Sequence, residues 1–342
     1  MTKPSSYKLG FIGLTLLLLL CMLISISLGS VSIPLGDTFS ILMGQPTTEK
    51  GWEYIIWNYR LPKTIAAVLI GGGLAVSGLL MQTLFRNPLA GPFVLGISSG
   101  ASLGAALLLL GGTSLGLTQL FWLNDVAIAI AASLGSFLVL LIVIVVANSV
   151  KDTMALLIIG LMFGSITSAV VSILSYFSKA EQLQRFIFWS YGSVGNLSWQ
   201  KVGVLALLLL VGLTICLFCI KSLNAFLLGE QYAQSMGIPV KKTKFFIIIA
   251  TGIVAGAITA FAGPIAFIGL AVPHLTRQWF KTMDHKILLP AVFLYGALLL
   301  LICDTIAQLP TSATVLPINA ITSIVGAPVV IWLLVRKRKM LF

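Results

Sequence analysis

Uncharged apolar runs recur along this chain, each about as long as a bilayer is thick, and short polar breaks between them carry most of its charge. A transmembrane helix needs about 20 such residues to cross a hydrocarbon core of ~30 Å. On that measure the pattern predicts spans at 9–30, 64–84, 93–111, 122–147, 154–177, 202–220, 287–307 and 318–335. The stretch 245–276 is harder, because it is charge-free throughout. As a single helix it would be about 48 Å long at 1.5 Å per residue, well over the core thickness. Gly263-Pro264 interrupts it and Pro273 lies near its end. It therefore divides into a span at 245–262 and a shorter, broken helix at 265–276, with His274 at the second break. About ten membrane helices result. Because the runs are continuous rather than alternating, a β-barrel is excluded, and the fold class is all-α membrane protein.

Composition agrees with that pattern. The 342 residues are 58% hydrophobic and 9% charged, with a mean hydropathy of +1.08. Soluble domains carry about 25% charged residues. The net charge of +12 could suit a nucleic acid, but basic residues also collect on the cytoplasmic loops of membrane proteins. Ten spans with the N-terminus inside leave six of the 21 basic residues outside. Nine spans would turn the Arg336-Lys337-Arg338-Lys339 cluster outward, so ten spans and two cytoplasmic termini are expected. Lys3 and Lys8 before an apolar run have the look of a signal peptide. The run Leu9–Gly29 is longer than an h-region, which predicts a retained first span.

Small residues recur at helical spacing. Gly160, Gly164, Ser168 and Ser172 share one face of the fifth span, as Gly96, Gly100 and Gly104 do in the third and Gly252, Gly256 and Ala260 in the seventh. Such faces let backbones approach in lipid, where no hydrophobic force drives helices together. The fifth-span face could equally line a pathway wall.

Catalytic motifs are missing: the chain has neither H-E-x-x-H nor G-x-x-x-x-G-K-[ST]. Cys21, Cys216, Cys219 and Cys303 all fall in apolar runs, with no second pair to complete a metal set, so packing is expected and no metal or cofactor is implied. Asp304 is the one ionisable residue clearly inside a span, and a carboxylate there is a functional candidate by default. Snorkelling or a local partner could also satisfy it. One off-centre aspartate is thin support for an ion-coupled carrier, so energy is expected from a partner. The cytoplasmic segment Lys221–Lys244 would suit one: Leu223, Phe226 and Leu227 form an apolar face, Gly229 breaks it, and Gly237 and Pro239 close a second short helix. A plain interfacial loop meeting anionic lipid is the alternative. Outside, Glu181–Phe186 predicts a short surface helix, with Trp189 and Tyr191 as interfacial anchors.

These segments taken together resemble a known family. RLPKT, SGLLMQTLFRNPLAGPFVLGISSGA, FWSYGSV, LLGEQYAQSMGIPV, AFAGPIAFIGLAVPHLTR, LLICDTIAQ and IVGAPVVIWLL match, in order, the ten-span FecCD permeases of bacterial importers driven by ATP-binding-cassette (ABC) subunits. Those importers move iron-siderophores, haem or vitamin B12. The resemblance implies a type II importer permease fold, a single permease domain over 1–342 and a place in the bacterial cytoplasmic (inner) membrane. It implies no enzymatic activity and no cofactor. The implied partners are two cytoplasmic ATP-binding subunits, a periplasmic or lipid-anchored substrate-binding protein, and a second copy or a related permease.

Site residues follow by resemblance. Arg60 and Lys63 match cations that dock the binding protein, while Gln308 stands where the family has a third arginine. Asn87, Leu89 and Thr153 (in the loop Lys151–Met154) map onto the cytoplasmic gate. Leu223, Leu227, Gly229, Glu230 and Gly237 match the coupling helices at about 222–238, with Glu230 facing the ATPase. An outer gate helix is expected at about 180–195. The competing function is an ion-coupled secondary carrier using Asp304; an intramembrane enzyme has no catalytic constellation.

Overall fold

The computed structural model describes residues 4–45, 49–112, 124–149, 153–308, 312 and 314–336. Lys3, Lys151 and the Lys337–Lys339 cluster fall outside them. All regular structure among the described residues is helical. In chain order the helices are α1 Pro4–Ser27, α2 Leu35–Leu42, α3 Lys50–Ile55, α4 Leu61–Leu84, α5 Ile97–Leu109, α6 Asn124–Ser149, α7 Thr153–Tyr176 and α8 Ala180–Ser190. They continue with α9 Trp199–Phe218, α10 Ile220–Phe226, α11 Glu230–Ser235, α12 Val240–Ala262, α13 Ile268–Phe280, α14 His285–Ala307 and α15 Ile318–Arg336. Seven helices among the described residues are long and apolar enough to cross a membrane, α5 and α15 are shorter apolar helices at two of the other expected spans, and α13 stands at the third. The chain forms two compact units: Met1–Val76, Ser193–Ala206 and Ile265–Phe342 in one, Ser77–Gly192 and Leu207–Pro264 in the other.

The first unit is built on α1, α13, α14, α15 and the first part of α4. Its helical run before Leu84 begins earlier than hydropathy predicts, at α3, and passes through a π-helical turn, Ile56–Arg60, where the Leu61 N–H reaches back to the Ile56 carbonyl. Pro62 follows at once. It lacks an N–H and its ring crowds the carbonyl four residues back, so a wider turn just ahead of it relieves both problems. Ile26, Ile33, Ile41 and Ile56 bury together here and tie α1, α2 and the π turn. Lower down, α4 and α14 touch backbone to backbone. A Cβ added to Gly71 would strike the Gly296 carbonyl, and one on Gly296 the Gly71 carbonyl.

In the second unit α5 and α6 make the closest approach. A Cβ on Gly100 would lie 2.5 Å from the Gly135 carbonyl oxygen, and one on Gly104 would run into the Ala131 carbonyl. The third-span glycine face therefore packs. The α12 face packs as well: Gly252 meets Leu140, Gly256 faces Ser136, and Ala260 buries with Ala101 and Ala132.

Two expectations need correction. Pro273 lies inside α13 rather than ending a helix, and His274 is a buried mid-helix residue. Pro273 costs the ladder only one early-turn bond, which packed membrane helices tolerate. The break at Gly263-Pro264 does occur, with Phe267 at a φ of 68°. Within the first unit the Ala266 N–H donates to Asn319 Oδ1 of α15 at 3.1 Å, so one opened backbone group is satisfied by a side chain. Trp189 is the second correction. Its ring is half-buried over Ala101, Ala132 and Ala260, whose small side chains leave room for it, so it anchors α8 to the protein rather than to the interface. Tyr191 stays exposed as expected.

Candidate functional site

The two cations at the start of α4 are both engaged inside the first unit. Arg60 is 9% exposed. Its Nη1 donates to the carbonyls of Ile26 and Ser27, each at 2.7 Å, and Nη2 donates to Val31. Ile26 and Ser27 end α1, so the guanidinium meets orphan carbonyls at the negative end of a helix dipole. Gly29 makes room, because a Cβ there would lie 2.7 Å from Arg60 Nη2. Lys63 Nζ pairs with Asp304 Oδ2 at 3.2 Å, and Gln308 Nε2 donates to the same oxygen at 3.2 Å. Asp304, on α14, is buried. Half-buried Lys63 and Gln308 explain why the buried carboxylate is tolerated: a cation and an amide compensate it.

Arg60→Ala is expected to leave the Ile26 carbonyl without its donor and lower stability by about 1–3 kcal/mol, the cost of one orphaned buried acceptor, since the Ser27 carbonyl keeps the Ile33 N–H at 3.2 Å. Arg60→Lys should recover only part of it, because an ammonium cannot span three carbonyls as a planar fork does. Thermal unfolding of the detergent-solubilised chain reads both.

At the C-terminal end of α4 the turn is set locally in the second unit. Arg86 has a φ of 47°, and the Leu89 N–H donates to Asn87 Oδ1 at 2.9 Å. The Ala90 N–H reaches the Asn87 carbonyl at 3.1 Å. Asn87 thus fixes the turn by an Asx bond, and Leu89 is left 43% exposed at its tip. Thr153 opens α7.

The α10–α11 loop belongs to the same unit. Leu223 and Phe226 are fully buried, so the apolar face read from the sequence seats α10 rather than meeting a partner; Leu227 is half-buried. The exposed apolar residues are Leu228, Tyr232 and Met236, which sequence reasoning missed although their spacing of four was visible. Gly229 and Gly237 have φ of 108° and 80°, conformations that favour glycine, and they bracket α11. Glu230, half-exposed, is paired with Lys244 of α12 at 2.8 Å, which ties α11 to a membrane helix. Arg86 Nη1 lies 3.5 Å from where a Gly229 Cβ would stand. The Arg86–Ala90 turn and the α10–α11 loop are therefore neighbours.

The fifth-span face, α7, does not act as one set. A Cβ on Gly160 would meet the Val94 carbonyl and Leu95, and one on Gly164 would lie 3.2 Å from Ser99 Oγ. Ser168 and Ser172 are exposed, with Ser172 Oγ bonded to the Ser168 carbonyl at 2.9 Å. Only 17% of the apolar stretch of α7 is buried, against 83% for the run ending in α4. No group of His, Cys, Asp and Glu that could hold a metal occurs among the described residues.

Comparison with known proteins accounts for this arrangement. The vitamin B12 import system permease protein BtuC of Klebsiella pneumoniae is 41% identical over 330 residues, 95% of this chain and 93% of that one. The protein of the same name from Salmonella typhi is 38% identical over 329 residues, 96% and 95% of the two chains. A solved inward-facing structure assigned to the metal-chelate type of ABC transporter aligns with a TM-score of 0.84 at 30% identity, covering 96% of this chain and 99% of that one. The relatives are transport permeases rather than enzymes. The sequence model of the FecCD transport family matches residues 17–336, and the chain belongs to that family.

Proposed function

We propose that this chain is the membrane-crossing subunit of an importer for cobalamin or a related metal chelate, with iron-siderophores and haem as the other members of that substrate class. The names of its relatives support cobalamin or a metal chelate as cargo. Two ATP-binding subunits drive transport from the cytoplasm, a substrate-binding protein delivers cargo from the other side, and two permease chains surround the pathway, with both termini of each inside.

The observation that carries this reading is the α10–α11 loop. It combines a buried seat (Leu223, Phe226), two glycine-set turns, an exposed apolar face (Leu228, Tyr232, Met236) and a charged tie to α12, beside the Asn87–Leu89 turn. A compact helix pair of that kind suits the groove of a soluble partner, and its tie to α12 offers a route by which the partner's movement reaches the membrane. The sparsely buried α7, with Ser168 and Ser172 open, suits the pathway wall. In this reading Asn87, Leu89 and Thr153 form the cytoplasmic gate and α8 the outer one.

Arg60 and Lys63 serve the receiving edge first by fixing its shape. An acidic lobe of the binding protein would compete there with the α1 carbonyls and with Asp304.

Tyr232→Asp with Met236→Asp should release the ATP-binding subunits, at least tenfold in copurification, without lowering the amount of permease in the membrane. Unchanged copurification would remove the loop from the coupling role.

A further inference from the structure

Helix α2 carries an apolar stripe that the transport reading does not use. Leu35, Phe39 and Met43, the last at the helix C-cap, are 50%, 53% and 63% exposed and stand four residues apart, on one helix face. Thr38 and Ile41 are buried on the other side, and Ile41 packs with Ile26 of α1 and Ile56 of the π turn. The helix is thus held along one side and presents bulky apolar side chains on the other.

Two independent observations say what covers that stripe. The helix it packs against, α1, presents an apolar surface suited to lipid: only 22% of its apolar stretch is buried, and Leu16, Leu19 and Leu20 are exposed along it. The shared isoleucine cluster also places α2 at the level of the π turn, where Tyr54, Trp57 and Tyr59 are exposed and the Trp199 indole N–H donates to the Trp57 carbonyl at 2.8 Å. Tryptophan and tyrosine gather where acyl chains give way to headgroups. An amphipathic helix at that depth meets apolar chains on one face and water on the other.

We infer that α2 is an interfacial helix whose Leu35, Phe39 and Met43 insert into the boundary between acyl chains and headgroups, so that its partner is lipid rather than protein. Beside it, Arg60 clamps the end of α1, and α2 holds that clamped corner at a fixed depth.

Site-directed spin labelling of the full-length chain tests this in vesicles of phosphatidylethanolamine and phosphatidylglycerol. Single cysteines replace Leu35, Phe39 or Met43, with Leu16→Cys as the lipid reference and Thr314→Cys as the aqueous one. Wild-type protein taken through the same labelling corrects for its own cysteines. Variants are compared only when their size-exclusion profile matches wild type. The expected result is an oxygen-to-nickel accessibility ratio at all three sites several-fold above that at 314 and approaching that at 16. A ratio equal to that at 314 would place the stripe in water and overturn the inference. Exclusion of both reagents would overturn it equally, since another protein surface would then cover the stripe. Dilution of the protein in the bilayer should leave the expected ratio unchanged, and a ratio that depends on dilution would assign the stripe to a second copy.

Discussion

Asp304→Asn will lower the stability of this chain by roughly 2–3 kcal/mol, somewhat below the 3–5 that breaking a fully buried ion pair costs, because Lys63 keeps some access to water. The asparagine preserves shape and the Gln308 contact but leaves the Lys63 ammonium uncompensated beside α14. Replacing both members, Lys63→Met with Asp304→Leu, should restore most of the loss, since well-packed apolar residues substitute for a buried pair at little or no penalty. A double-mutant cycle in thermal unfolding reads this directly. Asp304→Asn, which keeps Lys63 in place, separates the two transport mechanisms. An ATP-driven permease should retain substantial uptake without the carboxylate, whereas a carrier that moves ions through Asp304 should lose it altogether.

Gly104→Leu should prevent the protein from accumulating in the membrane. Its Cβ would be driven into the Ala131 carbonyl, so backbones must separate, and overpacking that side chains cannot relieve reaches or exceeds the usual ~1–3 kcal/mol. Gly256→Ala provides the contrast. The added methyl meets Ser136 Cβ at 3.5 Å, an ordinary contact, and expression should stay near wild type. If both variants accumulate normally, the close α5–α6 crossing is not what holds the second unit together.

Much of the fold was legible because its signals are local. Apolar runs place the ten helices to within a few residues: 64–84 against Leu61–Leu84, 154–177 against Thr153–Tyr176, 287–307 against His285–Ala307. Gly263-Pro264 breaks the chain where expected, since its effect is on its own backbone. Pro273 misled because whether a proline ends a helix depends on how early in that helix it falls and on what packs around it. The short helices α2 and α3 were missed. Each is too brief for a periodic signal, and α2 owes its place to Ile26 and Ile56, both distant in sequence.

The candidate site was half legible. Arg60, Lys63, Asp304 and Gln308 could all be singled out, but not that the first is spent on the end of α1 and the other three on one another. Lys63 and Asp304 come from helices far apart in sequence, and Arg60 meets carbonyls at the end of α1, so no spacing announces those pairs; only Asp304 and Gln308 stand at helical spacing. In the α10–α11 loop the glycines were identifiable from turn chemistry. Which apolar residues faced outward was not, because Leu223 and Leu228 differ only in what the fold places over them.

The most direct test of the importer reading is uptake into vesicles containing this permease with its binding protein and ATP-binding subunits. Radiolabelled cobalamin, a ferric siderophore and haem would be supplied in turn, with ATP, without it, and with an uncoupler. The account predicts import of one of these chelates that requires ATP hydrolysis and is indifferent to the uncoupler. Import that proceeds without ATP and collapses with the ion gradient would contradict it.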